Sequence, residues 1–314
     1  MKVVFQYDAG PKLRERLAAL AADGLDVVPC EETDAARFRA LLADADVLWH
    51  VLMPITADLI AVAPRLRLIQ KVGVGVNTID LEAARARGIA VCNMPGTNSR
   101  AVAEMTLLLM LAALRKLSWF DARTRAGRGW PLAPETQDGL GEIAGRTVGL
   151  VGYGAVPQIL APVLAALGAR VLYTARGVKD DAVAEWRTLP ALLAESDVVS
   201  LHAPLTDATK GMIGPDALAR MKPGAVLVNT ARGALVDEAA LAAALRSGRI
   251  GAAGLDVFVH EPAGMDNPLF ALPNVVVAPH VAWLTMETLD RSLAVAADNC
   301  RRLRAGEPLR HQVV

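Results

Sequence analysis

Short apolar runs alternate along the chain with longer alanine-rich segments, and this pattern predicts strands and helices in turn. In the first third we predict strands at residues 3–6, 26–28, 46–51, 68–72 and 88–92, and helices at 11–22, 33–42 and 57–63. Such alternation is typical of an α/β fold, in which a parallel sheet carries helices on both faces. The segment 93–96 has the composition of a loop, and we place a domain boundary there.

The rest of the chain predicts a second domain of the same kind. Residues 98–117 favour one long helix capped by Asn98 or Ser99, and residues 123–141 favour an extended arm. Strands are then predicted at 148–151, 170–173, 198–202, 225–229, 254–257 and 275–278, the content of a doubly wound dinucleotide-binding domain. The last helix, 285–305, is assigned back to the first domain. The predicted domains are therefore 1–97 with 285–314, and 98–284.

Composition and charge narrow the function without identifying it. The 314 residues are enough for two domains, and 33 Lys and Arg residues balance 33 Asp and Glu residues. Balanced charge creates no overall field towards nucleic acid or an anionic membrane, so we expect neither as a partner. The longest apolar run, 105–114, is far short of the ~20 residues that span a bilayer.

The three cysteines favour a reducing compartment, because Cys30, Cys92 and Cys300 are few, odd in number and widely spaced. Their spacing matches no metal site. The apolar run at residues 1–5 is too short for the core of a signal peptide. We therefore expect a cytoplasmic protein that holds no metal.

A glycine turn at residues 148–157 joins an apolar strand to a potential helix. Gly152 allows a tight turn, and Gly154 lets the backbone approach a pyrophosphate beside the free N–H groups of a helix start. Pro157 stands where the G-x-G-x-x-G pattern has its third glycine. Two glycines leave two interpretations open, a nucleotide site and a plain strand-to-helix turn.

Two prolines fall in the helix that follows this turn. Pro157 would lie in the first turn, where its missing N–H costs no hydrogen bond, although its ring would hold the helix slightly further from the sheet. Pro162 would lie inside the helix and cost ~3 kcal/mol. It predicts a kink or an early break.

Polar side chains follow three predicted strands of the second domain: Arg232, Glu261 and His280. Each alone could be an ordinary loop or surface residue. Ligands of open parallel sheets bind outside the carboxyl ends of the strands, so the three together predict a site. There a guanidinium binds a carboxylate, and a carboxylate holds and charges an imidazole that transfers a proton.

Six segments occur together in one order: residues 71–80, the Gly152 turn, 202–206, 229–233, 254–258 with Glu261 and Pro262, and Pro279-His280. With them the sequence strongly resembles the D-isomer-specific 2-hydroxyacid dehydrogenase family. The resemblance implies two doubly wound domains, Rossmann-like and flavodoxin-like, with the active site in the cleft between them. It also implies a homodimer built on residues 98–141.

The resemblance implies a role for each site residue. His280 is the proton donor to the carbonyl oxygen, Glu261 is its hydrogen-bonded partner, and Arg232 binds the substrate carboxylate. Because hydride transfer builds negative charge on that oxygen, a nearby acid and a fixed cation stabilise the transition state. A carboxylate beside His280 favours the imidazolium, so reduction should fall off as pH rises.

The resemblance also implies the binding residues. Asp256 would lie near the nicotinamide carboxamide. The implied cofactor contacts are Gly152, Tyr153, Gly154, Ala155, Val156, Pro157, Thr174, Ala175, Arg176, His202, Pro204, Thr230, Ala231, Arg232, Asp256 and His280. The implied substrate contacts are Val74, Gly75, Arg232, His280 and Trp283.

Val74 and Gly75 lie in a glycine-rich turn, where backbone N–H groups can bind a carboxylate without any side chain. A simple turn is the alternative. Asn77 stands where an acidic residue is common, which we cannot interpret.

The cofactor is predicted from the end of the strand at 170–173. An NAD site usually has an acid there, whereas an arginine accommodates the 2′-phosphate of NADP. Ala175 takes the place of the acid and Arg176 follows, so we predict NADP, with weakly bound NAD as the alternative.

The substrate side chain stays open. Trp283 and Trp49 would make the pocket apolar if they line it, and both could equally be core aromatics. Against a bulky substrate, residues 173–176 are similar to those of NADP-using glyoxylate and hydroxypyruvate reductases. We predict an NAD(P)H-dependent reductase of 2-oxo acids that forms the D-2-hydroxy acid. The alternative is a non-catalytic cofactor-sensing binding protein of the same fold, similar to a corepressor.

Overall fold

The computed structural model describes residues 1–180 and 183–314. Its strands are β1 Lys2–Gln6, β2 Asp26–Cys30, β3 Val47–His50, β4 Leu68–Lys71, β5 Ala90–Cys92, β6 Thr147–Val151, β7 Arg170–Thr174, β8 Glu185–Trp186, β9 Val198–Leu201, β10 Ala225–Asn229, β11 Ile250–Leu255 and β12 Val275–Val277. Its α-helices are α1 Pro11–Ala19, α2 Ala35–Leu42, α3 Ala57–Ala61, α4 Leu81–Ala86, α5 Ser99–Leu114, α6 Leu117–Arg125, α7 Ala155–Ala166, α8 Leu189–Glu195, α9 Pro215–Arg220, α10 Glu238–Arg246 and α11 Met286–Ala305.

The chain divides into two compact units, residues 1–98 with 285–314, and residues 99–284. The first contains a five-stranded sheet in the order β2-β1-β3-β4-β5, and the second a seven-stranded sheet in the order β12-β11-β10-β9-β6-β7-β8. Every strand pairing in both sheets is parallel. The predicted α/β class with two parallel sheets is confirmed.

The central strands are uniformly apolar because both of their faces are covered. Every residue of β3, β4, β9 and β10 is buried. Strands buried on both faces read as continuous apolar runs rather than as an alternating pattern. This explains why short apolar runs located these strands in the sequence.

The strand order of the second unit fixes where a ligand can bind. After β6 the chain adds β7 and β8 on one side, then returns to place β9 on the other side of β6. The carboxyl ends of β6 and β9 therefore flank the point where the winding reverses. In open α/β sheets ligands bind in the crevice at that point.

The predicted count of six strands in the second unit is wrong. The structure has seven, because the short β8 at Glu185–Trp186 pairs with β7. The start of β11 at Ile250 was also missed, since Gly251, Ala252 and Ala253 have little strand character. Small residues are needed here: a Cβ at Gly254 would lie 2.9 Å from the Cβ of Leu109 in α5.

The single long helix predicted at residues 98–117 is wrong at its end. Helix α5 stops at Leu114, Lys116 adopts a positive φ of 50°, and α6 begins at Leu117. The segment predicted as an extended arm is also partly helical. Helix α6 runs to Arg125, and a 3-10 helix covers Pro134–Gly139.

The early break predicted at Pro162 does not occur. Helix α7 continues from Ala155 to Ala166 with Pro162 inside it. The ring is tolerated because Pro162 is exposed, although the carbonyl of Gln158 loses its helical partner. Pro157 is the third residue of the helix, in the first turn as predicted.

Replacing Pro162 with alanine should therefore stabilise the protein. Restoring an N–H inside α7 offsets the ~3 kcal/mol helix cost, and the more flexible unfolded chain takes back about 1 kcal/mol. We expect a gain of about 2 kcal/mol in free energy of unfolding, measured by urea denaturation. The matched control is Pro157→Ala, which gains no hydrogen bond and loses buried packing. Equal effects of the two substitutions would contradict this account.

Candidate active site

The turn after β6 is built for close backbone approach. Gly152 has a φ of +98°, and its N–H donates to the carbonyl of Thr174 at 2.9 Å. A Cβ here would lie 2.8 Å from the backbone carbonyl of His202, at the end of β9. Only glycine fits, because both the conformation and the contact exclude a side chain. The two strand ends at the winding reversal therefore touch through backbone atoms.

Helix α7 begins at this turn with open backbone donors. Gly154 is its N-cap and makes no side-chain capping bond, and a Cβ built there would meet nothing within 4 Å. The first intrahelical bond runs from Gln158 to Gly154. Since Pro157 has no N–H, the first helical turn offers those of Ala155 and Val156. Donors at a helix start beside open space suit the pyrophosphate of a dinucleotide.

Tyr153 and the end of β7 border this turn. The buried ring of Tyr153 packs against that of Tyr173, with centroids 4.2 Å apart. Thr174 and Ala175 are half-buried, and Arg176 is exposed. Within residues 1–180 and 183–314, no carboxylate forms an ion pair with Arg176. Its guanidinium is therefore available at the strand end where a ribose would be bound.

His202, at the end of β9, is neutral. Its Nε2 lies 2.9 Å from the Ser200 hydroxyl oxygen, and burial lowers the pKa of His202 to about 3. The imidazole therefore cannot act as the proton donor near neutral pH. Pro204 is exposed on the loop that follows.

The loop after β10 is closed by one asparagine. The Asn229 side chain accepts from the N–H of Ala231 at 3.0 Å and donates to the carbonyl of Arg232 at 2.8 Å. The Thr230 hydroxyl lies 2.8 Å from that of Thr106 in α5. These bonds fix the backbone that carries Arg232. Sequence analysis missed the role of Asn229, although an asparagine that begins a turn is a recognisable signal.

Gly233 brings the Arg232 loop against the loop of Glu261. A Cβ on Gly233 would lie 1.9 Å from the carbonyl carbon of Phe258, which no adjustment of side chains could relieve. The two backbones therefore touch, and Arg232 and Glu261 come close enough to influence each other's charge. No local pattern in the sequence indicates this contact, because it depends on a neighbouring strand.

Asp256, directly after β11, organises the loop of His280. It is fully buried, and its two carboxylate oxygens accept the N–H groups of Val281 and Ala282, each at 2.9 Å. The His280 N–H also donates to the Asp256 carbonyl at 2.7 Å. His280 adopts a positive φ of 57°, a conformation that non-glycine residues rarely take. The three bonds hold His280 in that conformation.

His280 and Glu261 form a hydrogen-bonded pair. The His280 Nδ1 lies 2.7 Å from Oε2 of Glu261, while Oε1 accepts the N–H of Phe258 at 2.9 Å. The other ring nitrogen, Nε2, makes no hydrogen bond to any residue the structure describes and keeps access to solvent. Trp283 is buried and donates its indole N–H to the His280 carbonyl at 3.0 Å.

The charges of this cluster support one another. Burial raises the pKa of Glu261, but the hydrogen bond and charge of His280, the Phe258 N–H and the charge of Arg232 together lower it below its usual range. Burial lowers the pKa of Arg232, and Glu261 opposes that shift. The pKa of Asp256 is raised by burial, against the Ala282 and Val281 N–H groups. The site therefore combines a fixed cation with an ionised carboxylate that favours a charged imidazole.

The remaining predicted substrate contacts, Val74 and Gly75, lie in the other unit. Their turn follows β4, Gly73 has a φ of +147°, and the Val74 side chain is exposed. The N–H groups of Val74 and Gly75 donate no hydrogen bond within the described parts of the chain. They are therefore available to an anion. The structure brings together Arg232, Asp256, Glu261 and His280, all within the second unit.

Comparison with known proteins identifies the family. The model of the D-isomer specific 2-hydroxyacid dehydrogenase NAD-binding domain matches residues 107–282, more than half of the chain. The chain belongs to the D-isomer specific 2-hydroxyacid dehydrogenase family. The resemblance stated from the sequence is thus confirmed. The matched range of this dehydrogenase family contains the glycine turn and all four clustered residues.

Relatives within the dehydrogenase family differ in function. The chain is 40% identical over 301 residues to D-3-phosphoglycerate dehydrogenase of Mycobacterium leprae (strain TN), covering 94% of this chain and 56% of that protein. It is 43% identical over 265 residues to glyoxylate reductase of Aeropyrum pernix, covering 82% and 79%. The crystal structure of the TT0316 protein from Thermus thermophilus covers both chains fully, with a TM-score of 0.91 and 38% identity.

Neither a metal cluster nor a membrane-spanning helix occurs among the described residues. No group of three or more His, Cys, Asp and Glu residues there is arranged to hold a metal ion. Within the same residues, no helix combines the length and apolar character needed to cross a membrane.

The Glu261–His280 pair predicts a pH dependence. The charged His280 lowers the pKa of Glu261, and by reciprocity the ionised Glu261 stabilises the imidazolium. Glu261→Gln removes that stabilisation, so the imidazolium should lose its proton at lower pH. In the direction that consumes a proton, the pH at which activity is half-maximal should move to lower pH in kcat/KM profiles. The exposed Glu15→Gln variant is the control; a profile unchanged by Glu261→Gln would refute the coupling.

Proposed function

We propose that the protein reduces a 2-oxo acid to the D-2-hydroxy acid with a nicotinamide cofactor, His280 giving the proton. The observation that carries this proposal is the arrangement around His280. Glu261 holds Nδ1 at 2.7 Å, Asp256 fixes the loop backbone, and Nε2 is left open for a substrate. A histidine oriented on one side and open on the other can act as a general acid.

The residues fit a dinucleotide. Gly152 allows the close approach, the N–H groups of Ala155 and Val156 face open space at Gly154, and the ends of β7 and β9 flank the turn. In the proposal these residues hold the cofactor, with Asp256 near the nicotinamide. The bound cofactor supplies the hydride that reduces the carbonyl carbon.

The protein's own groups supply the rest of the chemistry. Arg232 binds the substrate carboxylate and carbonyl, and its positive charge stabilises the negative charge that develops on oxygen. The proton on His280 Nε2 passes to that oxygen, and Glu261 keeps the imidazole charged and oriented beforehand. The Val74 and Gly75 N–H groups are proposed as further donors to the substrate carboxylate.

We further propose a homodimer and a cytoplasmic location. Exposed apolar side chains on α5, α6 and the segment after them support a second copy of the chain as the partner: Leu108, Leu111, Leu117, Trp130 and Leu132. The three cysteines are free and buried, which supports a reducing compartment.

A panel of 2-oxo acids with NADPH and NADH tests the proposed function. We expect turnover of at least one acid, and His280→Ala should lower kcat by about 10²- to 10⁴-fold, the usual contribution of a general acid. Cofactor binding should stay within about two-fold of wild type, because His280 contributes none of the turn donors. His311→Ala is the matched control. Tight NADPH binding without any turnover would instead support the cofactor-sensing binding protein.

NADP is the proposed cofactor, with NAD as the alternative, and Arg176 decides between them. The exposed guanidinium at the end of β7 suits a 2′-phosphate, and the acid that usually binds the ribose hydroxyl of NAD is replaced by Ala175. Arg176→Ala should lower kcat/KM with NADPH by about 10- to 100-fold, as expected for a lost charged hydrogen bond, and leave NADH little changed. Arg128→Ala is the exposed control. A wild-type preference for NADH would overturn the assignment.

A further inference from the structure

In the first unit, a buried lysine connects two loops at the carboxyl edge of the sheet: residues 51–54 after β3, called here the β3 loop, and residues 73–78 after β4, called the β4 turn. Lys71 is the last residue of β4 and is only 5% exposed. Its ammonium donates to the Val51 carbonyl, and it lies 3.5 Å from the Thr78 hydroxyl oxygen. One cation therefore contacts both loops.

Thr78 is held from several sides. The Nε2 of His50, the last residue of β3, lies 2.9 Å from its hydroxyl oxygen, and the Ile55 N–H donates to its carbonyl at 2.8 Å. His50 is fully buried, and burial, with the charge of Lys71, holds the pKa of His50 well below its usual range. The imidazole is therefore neutral, and Lys71 is the charged member of this network.

The Lys71 side chain passes directly beneath the β4 turn. Its Cε would lie 3.5 Å from a Cβ built on Gly73. On the turn itself, the carbonyl of Gly73 accepts the Met94 N–H at 2.8 Å, and that of Val74 accepts the Asn93 side-chain amide at 2.9 Å. With these carbonyls engaged, the turn presents the N–H groups of Val74 and Gly75. The buried cation has the same electrostatic sign as these donors.

Stability alone does not account for a lysine at this position. A buried ammonium loses its hydration, and an apolar residue of similar volume is often as stable or more so. An opposing charge that acts on it is Glu32, whose carboxyl is also influenced by the Leu52 and Met53 N–H groups of the β3 loop. The opposing charge therefore also acts on one of the two loops that Lys71 contacts.

We propose that Lys71 is a positioning residue for substrate binding. Its ammonium fixes the β3 loop and the β4 turn in one geometry and adds positive potential beneath the donors of Val74 and Gly75. The ligand it serves is a carboxylate, and the identification of that carboxylate as a 2-oxo acid rests on the proposed function.

The test compares Lys71→Met, which keeps the length and removes the charge, with Lys71→Arg and with the exposed control Lys12→Met. In Lys71→Met the KM for the 2-oxo acid should rise about 10-fold or more, as for a lost charged hydrogen bond, while kcat changes less. Binding of NADPH should be unchanged, and Lys71→Arg should restore much of the KM. Hydrogen exchange of the amides at 51–55 and 73–79 should become faster in Lys71→Met alone.

Two further readouts keep the outcome decisive. If Lys71→Met does not fold, Thr78→Val removes the hydroxyl that Lys71 and His50 both reach, and it should raise KM in the same way. If wild type reduces no 2-oxo acid, the proposed function fails, and hydrogen exchange still reports whether Lys71 fixes the two loops. Wild-type KM and wild-type exchange in Lys71→Met, or an equal loss of NADPH binding, would overturn the role of Lys71.

Discussion

The candidate site depends on one buried carboxylate. Asp256 has no solvent exposure, and burying a charge without compensation costs several kcal/mol. Two backbone N–H groups, those of Val281 and Ala282, provide the compensation at 2.9 Å each. Because both belong to the loop after β12, the same bonds that make the buried charge tolerable also hold His280 at its positive φ. The position of the acid follows from the solvation of Asp256.

The neighbouring loops reach the same place through backbone contacts rather than through long side chains. Gly152 touches the backbone after β9, and Gly233 touches the backbone after β11. Asn229 closes the loop of Arg232 by bonding to two backbone groups of that loop. Parallel strands deliver these loops to one edge of the sheet, so a few small or hydrogen-bonding residues suffice to assemble a guanidinium, a carboxylate and an imidazole.

The sequence predicted the parts of the fold that local patterns encode. Buried runs marked the central strands, and polar residues after strand ends marked Arg232, Glu261 and His280. It could not predict contacts between strands distant in sequence, such as Gly233 against Phe258 or the two N–H bonds of Asp256. Helix α7 continued through Pro162 because its exposed position tolerates the ring. Strand β11 began early because packing against α5 requires small residues, which carry no strand signal.

The central claim is that the open nitrogen of His280 faces the reacting oxygen. The most direct measurement is a structure of the protein with NADPH and oxamate, a 2-oxo acid analogue that is not reduced. The account predicts His280 Nε2 within hydrogen-bond distance of the amide carbonyl oxygen of oxamate, roughly 2.6–3.2 Å, with the Arg232 guanidinium on the same ligand. A ligand bound away from His280, or His280 separated from Glu261 in that complex, would contradict it.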